Sequence, residues 1–223
     1  MIWALAVTLL VWSGALWLSR FGRGILNPVL VSTIAIVAIL LIGRIPLEAY
    51  AEGTVPLTAM LGPAIVALAF PIWRHGKELG RLLPALVVAA VVATIVGAAS
   101  TVFVAWLLGV PHDILLSLAP KHATSAVSAA VAGALGADVS LAAVFSILTG
   151  ILGAVAGPPL LRLVRVKDPV SQGFAIGLSA HAIGTARAME LGRTTGASSA
   201  LGLALAALLV PVVLLAGALF GWL

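Results

Sequence analysis

Cysteine is absent from all 223 positions, tyrosine occurs once, and charged residues make up only 9% of the chain. Without cysteine there is no disulfide framework and no thiolate metal site. With aromatic residues at 6%, no cage of rings for a cationic substrate can be argued. The shortage of charge is the most restrictive absence. Soluble domains carry roughly 25% charged residues, and a chain that is 62% apolar with so little charge lacks the polar surface to face water. Enzyme signatures are missing too: there is no nucleotide loop, no metal-spaced carboxylate cluster and no nucleophile elbow. Ser179 lies close to His181, but no acidic residue is placed to orient the imidazole. These absences argue for a non-enzymatic membrane protein that needs neither metal nor cofactor.

What the chain does have is a series of apolar windows separated by short charged connections. The formal charge of +5, from 12 basic and 7 acidic residues, is spread between those windows. It therefore reads as a topology signal rather than a nucleic-acid surface. Met1 to Ser19 is uncharged and lacks both the basic leader and the cleavage pattern of a signal peptide, so it is read as a first transmembrane helix, closed by Arg20 and Arg23. A second span runs from Ile25 to Gly43 and is opened by Asn27-Pro28, where proline suits a first helical turn. The third window, Gly53 to Trp73, carries Pro56, Gly62, Pro63 and Pro71. It is predicted to divide at Leu61-Gly62-Pro63, with Gly62 and Pro63 opening a half-helix. Leu82 to Pro111 is a fourth span whose polar notch, Ser100-Thr101, is expected to bond back to its own helix.

The run from Ala123 to Ala137 is only 15 residues long, about 22 Å as a helix against a hydrocarbon core of about 30 Å. It either packs tightly among neighbouring helices or dips in and returns. Val139 to Leu161 spans, closed by Arg162, Arg165 and Lys167, and Thr194 to Leu223 forms the terminal span. If Arg20 faces the cytoplasm, Arg44 faces out and the Arg74 to Arg81 loop faces in. A re-entrant 123–137 segment then keeps Arg162, Arg165 and Lys167 inside. ELGR at Glu78 to Arg81 recurs at Glu190 to Arg193, an echo consistent with an inverted repeat of 25–111 and 139–223. The expected fold is an all-α integral membrane protein, one domain over the whole chain, with about seven or eight transmembrane or re-entrant segments and interrupted helices.

Gly177 to Arg193, GLSAHAIGTARAMELGR, is the stretch around which the rest is organised. On a continuous helix His181 and Thr185 share a face while Arg187 pairs with Glu190. A break near Gly184 would instead make Thr185 an N-cap and place Arg187 in the first turn of a half-helix, where backbone N–H groups and the guanidinium would hold a carboxylate. His181 would donate to that anion or carry a coupled proton. The simpler alternative is a neutralising Arg187–Glu190 pair at the membrane edge, with His181 bonded to a carbonyl. Lys121, Thr124 and Ser125 could line the same cavity, Thr124 or Ser125 as a cap. Small-residue packing for the hydroxyls, and an interfacial anchor for Lys121, are the alternatives.

Asn27-Pro28, Tyr50 and Gly53, MLGPAIVALAFPIW from Met60, APK at Ala119 to Lys121, TGILGAVAGPPLLR from Thr149 and SAHAIGTARAMELGRTTGASSALG from Ser179 resemble the LrgB/CidB (YohK-like) family over nearly the whole chain. The resemblance implies an antiholin- or holin-like protein of a bacterial inner membrane, linked to murein hydrolase activity and autolysis. It also implies a small LrgA/CidA-type membrane partner and a homo-oligomer such as a dimer. Plastid relatives are glycolate/glycerate transporters and bacterial members have been connected with pyruvate uptake, which implies a small monocarboxylate substrate. Asn27 is counted among the substrate-binding residues on this basis. Where the family commonly reads PKSVTTPIA with an acidic residue soon after, this chain has PKHATSAVSAA. That departure makes His122 a candidate for altered specificity or coupling. The expected function is a carrier of small organic acids, and the alternative is a holin-like membrane oligomer.

Overall fold

The structure is a computed structural model that describes residues 2–21 and 27–221. Arg23, the start of the second span at Ile25 and the last two residues lie outside the described residues, and with them the outer limits of the two repeat halves. The chain divides into two compact units, Met1–Ala69 and Phe70–Leu223. Among the described residues every regular element is a helix.

In the first unit, α1 (Ile2–Ser19) packs against α2 (Pro28–Ile42) and α3 (Leu47–Gly53). The Thr8 and Tyr50 hydroxyls lie 2.7 Å apart across the α1–α3 contact. Asn27 caps α2: its side-chain oxygen accepts from the N–H groups of Val29 and Leu30, and Pro28 occupies the first turn, as expected. The window that follows is more fragmented than expected. Instead of one division at Leu61-Gly62-Pro63, it forms α4 (Val55–Ala59), α5 (Leu61–Ala67) and α6 (Ala69–Arg74). The breaks precede the prolines by one turn. A proline leaves the carbonyl four residues back without its donor, and α4 and α5 end at Ala59 and Ala67, four residues before Pro63 and Pro71. Gly62 and Pro63 consequently sit inside α5, both exposed.

The second unit contains α7 (Gly76–Leu107), α8 (His112–Leu118), α9 (Ser125–Ala134), α10 (Val139–Leu163), α11 (Pro169–Leu191) and α12 (Arg193–Leu219). α1, the α4–α6 series, α7, α10 and α12 are long and apolar enough to cross a membrane, and the chain is an all-α integral membrane protein. α9, with 10 residues, reaches only about 15 Å and cannot cross about 30 Å of hydrocarbon. It doubles back beside α8: Ser128 Oγ donates to Pro120 O at 2.6 Å, and the Asp138 N–H donates to Ser117 Oγ at 3.0 Å. This is the geometry of a re-entrant hairpin.

α11 holds a larger departure. Its backbone leaves helical values at His181, with φ 40° and ψ −132°. A Cβ built on Gly184 would lie 2.9 Å from Ile176 Cγ2. Eight residues apart on one straight helix, those positions would be separated by about 12 Å. Ile176 and Ala188 also share one buried cluster. Residues 169–180 and 182–191 are therefore two antiparallel arms folded back at His181. The packing on α12 confirms the reversal. Gly173 lies on Thr195 and Gly177 on Ser199, running parallel, whereas Thr185 meets Ser199 and Met189 meets Gly196, running antiparallel. Each arm is about 15–18 Å long, roughly half a bilayer core.

Candidate functional site at the hairpin tips

The two hairpins spring from opposite ends of α10. The base of α8–α9 lies at Asp138, which caps the start of α10, and the base of α11 follows the end of α10. Their tips meet beside the middle of that helix. His181, only 2% exposed, lies with its Nε2 2.9 Å from the Ser146 carbonyl oxygen. A carbonyl only accepts, so Nε2 carries a proton and donates. The Ser146 hydroxyl donates to Ala123 O at 2.5 Å. One serine of α10 thus ties the tip of each hairpin to the other. A Cβ on Gly150 would stand 2.5 Å from His181 Cε1, so the imidazole seats only because that position has no side chain.

A second imidazole lies at the other tip. His122 Nε2 is 3.2 Å from Thr101 Oγ1, whose own hydrogen goes to Gly97 O at 2.7 Å. The threonine can then only accept, which puts the His122 proton on Nε2 as well. Thr101 and Ser100 both bond back to Gly97 O as expected, with the reach to His122 added. Thr124 caps α9, accepting from the Val127 N–H at 3.4 Å, and Ser125 opens that helix. Lys121 is half-buried beside His122. The N-terminal ends of α9 and of the 182–191 arm both lie at this junction, where helix dipoles carry partial positive charge.

The organising stretch is assembled differently from the expectation. The break falls at His181 and not near Gly184. Gly184 is used for close approach of the two arms, where a Cβ would run into Ala180 and Ile176. Thr185 is not an N-cap: its hydroxyl donates to His181 O at 2.8 Å and lies 3.0 Å from Ser199 Oγ. Arg187 sits six residues past the tip, about 9 Å along the arm, and pairs with Glu190 at 2.5 Å. The structure does not bring that pair to His181. Ser179 is exposed, bonds to Ala175 O at 2.7 Å, and lines a cleft of about 560 Å³ with His122. Asn27, Gly62 and Pro63 belong to the first unit, where Asn27 is spent on its cap.

Sequence reasoning missed Ser146, Thr101 as the partner of His122, and Ser199. One signal for the first was available. Ser146, Gly150, Gly153 and Gly157 fall on one face of α10, and the first α11 arm lies along that face, with His181 at Gly150, Ala180 at Gly153 and Ile176 at Gly157. At the base of the arm, Asp168 caps α11 and accepts from the hydroxyl and N–H of Ser171, both at 2.7 Å. Those bonds hold its carboxyl below the usual range.

The model of the LrgB-like family matches residues 8–220. YxaC and YwbG of Bacillus subtilis, both uncharacterized proteins, are each 34% identical, the first over 85% of this chain and 83% of its own length, the second over 92% of each. The holin-like protein CidB of Staphylococcus epidermidis is 29% identical over 88% of this chain and 87% of its own length. No solved structure matches.

Proposed function

We propose, from the premise that this chain belongs to the LrgB-like family, that it acts as a holin-like protein of a bacterial inner membrane and influences murein hydrolases and autolysis. Likeness to CidB across nearly the full length of both chains carries this reading. The hairpin junction supplies a physical basis for it. A path through the second unit needs the two tips to part, and Ser146 bonds to both of them. A small LrgA/CidA-type membrane protein would be the partner, and self-association would complete the assembly. The test is inducible expression of the chain with and without such a partner in a bacterial host. Murein hydrolase activity and lysis on energy poisoning are measured, and unchanged values in both strains would sink the reading.

A second reading, carriage of small monocarboxylates, is favoured by one observation. Two half-helix N-termini, Lys121 and His122 gather at the hairpin tips, and described carboxylates belong to the helix ends and connections. Interrupted helices meeting at mid-depth are how many carriers hold an anion. On this reading the ligand sits at the tips, and Arg187 with Glu190 acts only at the membrane edge. Proteoliposomes distinguish the two: saturable uptake of radiolabelled glycolate or pyruvate marks a carrier, and leakage of unrelated solutes marks the holin-like path.

A further inference from the structure

The cleft beside the tips has an unusual course. Its wall runs from Leu86 to Gly97 on α7 and from Ser171 to Ser179 on the first α11 arm, about 16 Å and 12 Å of helix. Leu86, Ala89, Ala93, Phe174 and Leu178 make that wall apolar, and His122 stands at its inner end. Its outer end lies where the chain concentrates positive charge. Leu79, Val170 and Ala197 share one buried cluster, which puts the starts of α7, α11 and α12 together, and the end of α10 leads into α11 across residues 164–168. Arg74, Lys77, Arg81, Arg162, Arg165 and Lys167 are all exposed there, against Glu78 and Asp168. Arg187 is already taken by Glu190. Within the second unit, the connections at the opposite end carry Asp113 and Asp138 and no lysine or arginine.

We propose that this cleft is a binding site for an anionic phospholipid. One acyl chain lies between α7 and the first α11 arm, and the headgroup phosphate rests among Arg81, Arg165 and Lys167. The cleft is open along its side, where Ala89, Ala93 and Val96 are exposed, so a chain enters from the bilayer without crossing protein. Inside a bilayer the tail gains no hydration free energy by moving onto protein, so residence comes from van der Waals fit and selectivity from the headgroup charges. The inner end of the chain abuts the His122 tip, which makes the lipid a structural support for the hairpin junction.

The experiment uses the full chain in detergent with dioleoyl phosphatidylglycerol, dioleoyl phosphatidylcholine or inorganic phosphate. Retained lipid is read by native mass spectrometry and stability by thermal melting. Phosphatidylglycerol is expected to remain bound and raise the melting temperature, phosphatidylcholine to be retained at least about tenfold less, and phosphate to do nothing. Ala93→Trp fills the cleft from an exposed wall position and should abolish retention. Ala89→Trp repeats the test if the first variant is not monodisperse. Arg81→Gln with Arg165→Gln and Lys167→Gln, all at exposed positions, should remove the preference for the anionic lipid while leaving the fold intact. Equal retention of both lipids, full retention by the tryptophan variants, or a phosphate effect equal to that of phosphatidylglycerol would each overturn the proposal.

Discussion

The fold-back of α11 at His181 can be tested by a pair of cysteines, because the chain has none of its own. Ile176→Cys with Ala188→Cys places both thiols in one cluster, at positions 2% and 0% exposed. On a straight helix the two Cα atoms would be about 18 Å apart, whereas a disulfide needs them within about 7 Å. No ordinary bending of a helix closes that gap. Trypsin supplies the readout, since Lys167, Arg187 and Arg193 bracket the two positions. After oxidation the peptides 168–187 and 188–193 should travel as one covalently linked species, from protein that still migrates as a monomer. The bridge closes a loop of a dozen or so residues, which in the chain-entropy account stabilises by about 3 kcal/mol. For a unit of this size that corresponds to a melting temperature higher by about 6–12 °C. Separate peptides, with both thiols still free after oxidation, would refute the hairpin and with it the meeting of the two tips.

Two glycines of the second unit should respond to alanine with opposite signs. A Cβ at Gly177 would lie 2.8 Å from the carbonyl carbon and 2.9 Å from the Cα of Ser199, backbone that cannot move without α12. Gly177→Ala should therefore cost about 2 kcal/mol net of helix propensity, a loss of about 4–8 °C in melting. At Gly80, inside α7, a Cβ would meet nothing within 4 Å, so Gly80→Ala should stabilise by about 1 kcal/mol; a loss at that site would contradict the open surface of the helix there. Ser146→Ala removes the hydroxyl that donates from α10 to Ala123 O and should cost about 1–3 kcal/mol. The variant keeps the Ser146 carbonyl that His181 uses, so hydrogen exchange should loosen 119–124 more than 180–184, and unchanged protection at 119–124 would mean that the hydroxyl does not hold that tip. Asp168→Ala should cost about 1 kcal/mol as a lost cap. Because the folded carboxyl titrates below its unfolded value, the stability it adds is present above the unfolded pKa, about 4, and is lost as pH falls through the folded one. The difference between wild type and Asp168→Ala should thus shrink in acid, and a difference that grew there would reverse the assignment.

Much of this fold was legible in residue order because the bilayer enforces simple rules. Window length separated α7, α10 and α12 from the 10-residue α9, since a segment of that length cannot satisfy the thickness it would have to cross. Thr124 was readable as a cap because capping is a local event between a side chain and N–H groups two or three residues on; Asn27, counted among the substrate-binding residues, is spent on the same kind of cap. The proline-rich window was recognised as broken, and its actual break points follow from counting back four residues to the carbonyl each proline deprives. The reversal in α11 was not legible. GLSAHAIG contains no proline, its glycines lie on either side of the turn, and a residue other than glycine is uncommon at positive φ.

Composition and order determined by themselves that the chain lives in a membrane and which stretches are helical. Only tertiary structure decided how 177–193 is folded. His181 takes a left-handed backbone because its ring finds Ser146 O from another helix and a vacancy at Gly150, and these compensations come from residues more than thirty positions away. Arg187 finds its partner three residues on. Local pairs can be read from spacing because the helix itself brings them together; a turn held by distant groups leaves no period in the sequence.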